Sequence, residues 1–143
     1  METAYRIPNN PEGNEQPDHL KQDTIPINKF AVHSMFVSPE PGEAIAAAKP
    51  REVQGLAMDY GAGIQRVEFS SDGGRSWRDA SLDPELGRYS WRRWRLTWNP
   101  PAPGVYRCML RATNRAGVTQ LQSQWNRGGF HRALIEHMDV RAI

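Results

Sequence analysis

The chain has 143 residues, a formal net charge of +2 and a single cysteine, Cys108. That length suits one domain whose core needs no disulfide staples, and a lone thiol excludes an internal disulfide or a metal cluster built from thiolates. The charge is too small to argue for nucleic acid, and no apolar run approaches the ~20 residues of a membrane helix.

Residues 1–28 carry Pro8, Pro11, Pro17 and Pro26 among Asn, Glu, Gln and Asp. Such a stretch buries too little apolar surface to offset its ordering entropy and reads as an irregular arm or linker. Its start, METAYRIPNNPEGNEQ, lacks a basic segment followed by an apolar one, so it is not a signal peptide. That implies either a cytoplasmic protein or a piece whose targeting segment lies elsewhere.

Strand-like runs follow over residues 29–143. The first holds Phe30, Val32 and Val37 and stops at Pro39-Glu40-Pro41-Gly42. Glu43–Lys49 alone has helical propensity; being short and followed by Pro50, it reads as a turn or loop. Val53–Met58 makes a second run and Ile64–Ser71 a third, in which Val67 and Phe69 alternate with Glu68 and Ser70. Asp72-Gly73-Gly74 signals a hairpin turn, and a fourth run passes through Trp77. The fifth, Trp91–Trp98, is closed by Asn99-Pro100-Pro101-Ala102-Pro103-Gly104. Val105–Ala112 is the sixth, a seventh begins near Val118 after Asn114-Arg115-Ala116-Gly117, and the last spans Ala133–Val140. Short strands at this spacing predict an all-β, immunoglobulin-like antiparallel sandwich of about seven strands.

The basic residues are 15 Arg against 3 Lys. A GC-rich genome produces such a bias, but arginine is also the residue suited to stacked, bidentate contacts with carboxylates and anions. Strand periodicity puts Trp94, Leu96 and Trp98 on one side of the fifth run, with Arg92 at its edge, and Trp91, Arg93, Arg95 and Thr97 on the other. In the sixth, Tyr106, Cys108, Leu110 and Ala112 alternate with Arg107, Met109 and Arg111. If the two runs pair, Trp91, Arg93, Arg95, Arg107, Met109 and Arg111 form one wall. Such a wall suits the centre of a protein interface. It also suits a solvated face with guanidinium stems over indole rings. Cys108 then sits inside as a small hydrophobe.

Ser70-x-Asp72-x-Gly74-x-Ser76-Trp77 fits the Asp-box pattern S-x-D-x-G-x-[ST]-W of propeller proteins. A propeller needs several blades, so one copy reads as a hairpin stabiliser. His19, His33, His131 and His137 lack metal-ligand spacing.

VEFSSDGGRSW (67–77), YSWRRWRLTW (89–98), PPAPGVYRCMLRATNRAGVTQ (100–120) and WNRGGFHR (125–132) together resemble the dimerisation domain of the sulfite oxidase family of molybdenum enzymes. METAYRIP and DTIPI (23–27) look like the exit from that family's molybdopterin domain and the connector after it. The resemblance implies a homodimerising domain of an enzyme that oxidises sulfite or a related sulfur compound. Its molybdopterin is held by a Cys in a preceding domain, with no cofactor in this chain and no catalysis by it alone. It further implies an electron-accepting cytochrome as a partner and a periplasmic location; the low charge and the lack of a long apolar run argue against nucleic acid and membrane as partners. In relatives an Arg within W-N-x-R-G reaches the anion pocket. Here Arg127 sits one place early, and the bacterial pattern W-N-x-x-G-[YF]-x-R fits Gly129, Phe130 and Arg132, so either Arg127 or Arg132 is the candidate. The rival reading is a stand-alone immunoglobulin-like module that binds glycan or protein.

Overall fold

A computed structural model describes residues 4–10, 13–122, 125–130 and 133–143. Among the described residues there are eleven strands: β1 (Arg6–Pro8), β2 (Thr24–Pro26), β3 (His33–Ser38), β4 (Ala44–Ile45), β5 (Arg51–Met58), β6 (Ile64–Ser70), β7 (Arg78–Asp79), β8 (Ser81–Leu82), β9 (Arg92–Trp98), β10 (Gly104–Asn114) and β11 (Glu136–Ala142). Two sheets pack face to face. One has the order β3-β5-β9-β8, the other β4-β11-β10-β6-β7. The expected all-β sandwich is present, and every pairing is antiparallel except that of β4 with β11.

Alternation assigns each strand its inner side. Val53, Gly55 and Ala57 of β5 face Leu96, Trp94 and Arg92 of β9 across the ladder. Val67 and Phe69 of β6 and Cys108, Leu110 and Ala112 of β10 complete the core from the other sheet. Trp94 is fully buried. Phe36 meets it edge-on at 6.1 Å, and Phe69 lies 5.7 Å from Trp98. A Cβ on Gly55 would stand 2.0 Å from the Met35 carbonyl oxygen and 2.5 Å from Cζ2 of Trp94. Only a residue without a side chain lets the indole lie across β5.

Three expectations are corrected. β9 and β10 do not pair; they belong to opposite sheets. The Pro100-Pro101-Ala102-Pro103 segment between them lacks most of its N–H donors and serves as a crossover, not a hairpin. The run near Val118 is no strand but makes isolated bridges, Thr113 to Thr119 and Leu121 to Leu134. The Gln120 side chain replaces ladder bonds there: its Oε1 accepts from the Ala112 N–H (2.8 Å) and the Ser34 hydroxyl (2.6 Å), and its Nε2 donates to the Leu134 carbonyl. Within the EAIAAAK segment, Ala44–Ile45 forms β4, because burying Ile45 in the core outweighs helical propensity. The described residues of the 1–28 arm are largely irregular, as expected, but the arm closes on itself where β1 pairs with β2.

The Trp94–Gly55 seat makes a quantitative prediction. Trp94→Ala should cost about 3–5 kcal/mol and Gly55→Ala about 1–3 kcal/mol or more, read from urea midpoints. A Gly55→Ala midpoint equal to that of the parent would show that the close approach is not made.

Candidate functional site

The two outer faces differ in character. On the four-stranded sheet, β5 presents Gln54, Leu56 and Met58 outward, opposite Arg95, Arg93 and the start of β9. Met35 of edge strand β3 lies opposite Leu56, and His33 opposite Met58. Trp91 is 41% exposed, Val37 48% and Phe30 68%. Arg93 and Arg95 reach Asp83 at 3.9 and 3.0 Å. At the β3 end, a groove of about 630 Å³ runs between Ile27, Phe30, His33, Met58, Trp91 and Phe130. This face is apolar along its middle and cationic along one flank.

On the five-stranded sheet several outward side chains satisfy one another. Glu68 accepts both Nε (2.7 Å) and Nη2 (3.0 Å) of Arg111 and has Arg66 at 3.3 Å. The Arg111 hydrogen bond holds the Glu68 carboxyl below its usual range. The Arg111 guanidinium also lies 4.2 Å above the Trp77 ring. Arg107 faces Asp139 at 3.6 Å. The 72–76 turn covers part of the remainder: the Gly73 N–H donates to the Arg107 carbonyl, and Gly74 sits against the Met109 sulfur, while Val105 stays exposed.

That turn is the Asp-box motif, and it acts as a hairpin stabiliser. Asp72 accepts from the Arg75 and Ser76 N–H groups and from the Ser70 and Ser76 hydroxyls. The Ser76 hydroxyl foremost holds the Asp72 carboxyl well below the usual range. The Gly74 N–H donates to Ser70 Oγ, and Trp77 Nε1 donates to the Gly74 carbonyl. Gly73 and Gly74 take φ of 71° and 86°, the left-handed region that glycine alone enters cheaply.

The six residues expected to form one wall are therefore divided. Trp91, Arg93 and Arg95 lie on the four-stranded side, and Arg107, Met109 and Arg111 on the opposite side, already engaged within their own sheet. Sequence reading passed over Leu56, Met58 and Met35. The signal was present in the second half of β5, where Gly55–Met58 is apolar on both parities.

Arg127 is held by the arm. Glu15, 3% exposed, accepts from Arg127 Nε (2.9 Å), Nη2 (2.8 Å) and backbone N–H (2.9 Å), and from the Lys21 N–H (2.8 Å). Arg127 Nη2 also donates to the Lys21 carbonyl at 2.7 Å. Asn126 Nδ2 bonds the Gly13 carbonyl at 3.0 Å, and the Glu15 N–H bonds the Trp125 carbonyl at 2.8 Å. The Arg127 hydrogen bond is the main cause that lowers the Glu15 carboxyl to about 2 and, in return, raises the guanidinium pKa. Arg132 and His131 lie outside the described residues.

Cys108 is buried against the core, as expected, and desolvation, with Asp139 nearby, pushes its thiol up to about 12. A thiol so disposed does not fit a molybdenum ligand, which must be a thiolate. Among the described residues no three His, Cys, Asp or Glu side chains gather as a metal site. His33 lies 3.7 Å from Glu136.

A model of the Mo-co oxidoreductase dimerisation domain matches residues 24–133. The chain is similar to mitochondrial sulfite oxidase of Macaca fascicularis, 33% identical over 91 residues, covering 59% of this chain and 16% of that protein. It is also similar to mitochondrial sulfite oxidase of Homo sapiens, 34% identical over 86 residues, covering 56% of this chain and again 16% of the relative. Among solved structures it superimposes on the sulfane dehydrogenase SoxCD from Paracoccus pantotrophus with a TM-score of 0.71 and 23% identity, covering 90% of this chain and 34% of that one.

The Glu15 site has a pH signature. Its folded pKa, about 2, lies below the ordinary carboxylate value of 4.5, so its stabilisation is complete above about 4.5 and is lost as pH falls towards 2. Glu15→Gln should remove it at neutral pH as well. Hydrogen-exchange protection factors of the Lys21 and Arg127 amides should fall in that variant at pH 7. In the parent they should fall only below about pH 4. Equal protection in both would show that the carboxylate does not hold the arm.

Proposed function

Because the chain belongs to the Mo-co oxidoreductase dimerisation domain family, we propose that it pairs two subunits of a sulfite-oxidase-type enzyme into a homodimer. The match over residues 24–133 carries this reading. In the proposal, the molybdopterin and its ligand cysteine belong to a preceding domain joined through the Pro-rich arm. The reaction is oxidation of sulfite or a related sulfur compound, electrons leave to a cytochrome, and the location is periplasmic. Support for a cofactor seated elsewhere comes from Cys108, which is packed as a core residue.

The domain's contribution to the anion is assigned in this reading to Arg132. Arg127 is engaged by the Glu15 carboxylate and the Lys21 carbonyl, and its guanidinium serves to position the 125–130 loop. The Arg132 guanidinium would recognise the oxyanion by planar, charge-assisted hydrogen bonds.

Light scattering on the full chain tests the pairing. A mass of twice 16.2 kDa is expected, and a strict monomer at high concentration would overturn the proposal in favour of a stand-alone binding module. In the enzyme joined to its cofactor domain, Arg132→Ala should raise the KM for sulfite about 10- to 100-fold, the loss of a charged hydrogen bond. An unchanged KM would remove Arg132 from the pocket.

A further inference from the structure

We infer that Asn126, together with Glu15 of the arm, positions Arg132 for the anion; this rests on the reading that assigns the anion contact to Arg132. Apolar burial cannot shape the loop that leads there. Within residues 125–130 only Asn126 is buried, so the loop takes its form from polar bonds and bare backbone. Asn126 Nδ2 donates to the Phe130 carbonyl (2.7 Å), and Asn126 Oδ1 accepts from the Phe130 N–H (3.1 Å). One side chain thus clamps both backbone groups of a residue four places on. The Gly129 N–H closes the turn on the Asn126 carbonyl at 3.0 Å, with Gly129 at a φ of 63°. The Phe130 ring folds back over Gly128, where a Cβ would stand 2.6 Å from its Cδ2. These contacts account for the spacing W-N-x-x-G-F-x-R: the Asn fixes the Phe backbone, and the Arg follows two residues later.

The described chain on the two sides of Arg132 is anchored to different parts of the fold. Before it, Asn126 Nδ2 also donates to the Gly13 carbonyl at 3.0 Å, and the Glu15 N–H donates to the Trp125 carbonyl at 2.8 Å. The Glu15 carboxylate takes the Arg127 N–H and guanidinium, and the Tyr5 ring meets the Phe130 ring at 5.6 Å. Gly13, Glu15 and Tyr5 all belong to the arm. After it, the Ala133 carbonyl accepts from the Leu121 N–H (2.7 Å), and the Leu121 carbonyl accepts from the Ile135 N–H (2.8 Å). Gln120, beside Leu121, is bonded in turn to Ala112 of β10, so this side is tied to the sandwich. Phe130 and Ala133 are three residues apart, at most about 11 Å of chain, and two fixed ends restrict the path between them. Releasing the arm-side anchor leaves that path held from the sandwich alone. A guanidinium that must match an oxyanion in plane and direction is sensitive to such a shift.

The experiment is steady-state kinetics with sulfite in the enzyme joined to its cofactor domain. Asn126→Ala removes the clamp. Glu15→Gln keeps the size of the arm-side anchor and removes its charge, and it decides the matter if Asn126→Ala fails to fold. Each should raise the KM about tenfold while kcat stays within about twofold of the parent. A residue that only holds the fold together would lower the amount of active enzyme and leave the KM alone. In an Arg132→Ala background neither variant should raise the KM further, because both act through the group already removed. An unchanged KM in either folded variant, or a rise of the same size on top of Arg132→Ala, would overturn the positioning role. An Arg132→Ala enzyme with unchanged KM would instead overturn the assignment of Arg132, and this inference with it, so the two failures are separable.

Discussion

The sandwich depends on one contact: the Trp94 indole lying across the bare backbone of Gly55. The two residues are ladder partners on neighbouring strands, and an added methyl would collide with both the indole and the Met35 carbonyl. The indole fills the space between the sheets and meets Phe36, which in turn meets Phe69 of the other sheet. A residue this large, with no solvent exposure, fixes the parity of β9. A one-residue slip would put Arg93 and Arg95 into the core, where unpaired guanidinium groups are strongly disfavoured. The outward placement of the arginines is thus a consequence of the tryptophan seat.

Once parity is fixed, arginine is used in three physically different ways. In Arg111 it is a bidentate partner that also stacks on an indole, closing a face. In Arg127 it is a buried-carboxylate partner that ties together segments 112 residues apart. In Arg93 and Arg95 it is exposed and shares a single acid, Asp83, so its charge is only partly answered. The composition that looked uniform in the sequence therefore separates into structural and outward-facing sets. For the strand arginines the difference is set by what lies across the ladder, Glu68 for Arg111 against Leu56 and Gln54 for Arg93 and Arg95.

Much of this was legible beforehand, for reasons that also mark the limit. The long runs β5, β6, β9 and β10 stand out because one parity carries successive apolar residues, and the Asp-box turn because each of its groups bonds within the motif. Cys108 was placed correctly by its neighbours Leu110 and Ala112. Pairing was not legible: period-2 alternation says which side is buried but not which strand lies alongside, so β9 and β10 were joined although the proline-rich segment sends the chain to the other sheet. Strands of two residues such as β4, β7 and β8 carry no periodicity at all. Glu15 could not be picked out from its surroundings, because its partner lies far along the chain and nothing local distinguishes it from the other acids of the arm.

The Glu15–Arg127 pair also constrains how any neighbouring domain could act on this one. A carboxylate with 3% exposure that accepts four hydrogen bonds is stable only while all its donors are in place, since a buried charge left unpaired is costly. Those donors come from the 125–130 loop and from the arm itself, and Asn126 adds a bond to Gly13 on the same side. Arm and loop therefore keep or lose their arrangement together. A rigid-body displacement of whatever precedes the arm would be transmitted to Trp125–Phe130 as a unit and not absorbed by a slack tether. The same coupling runs towards the four-stranded face, because Phe130 shares a groove with Phe30, Met58 and Trp91. The arm and the loop thus reach the edge of the four-stranded face together, at a groove whose wall also holds His33 and Glu136 3.7 Å apart.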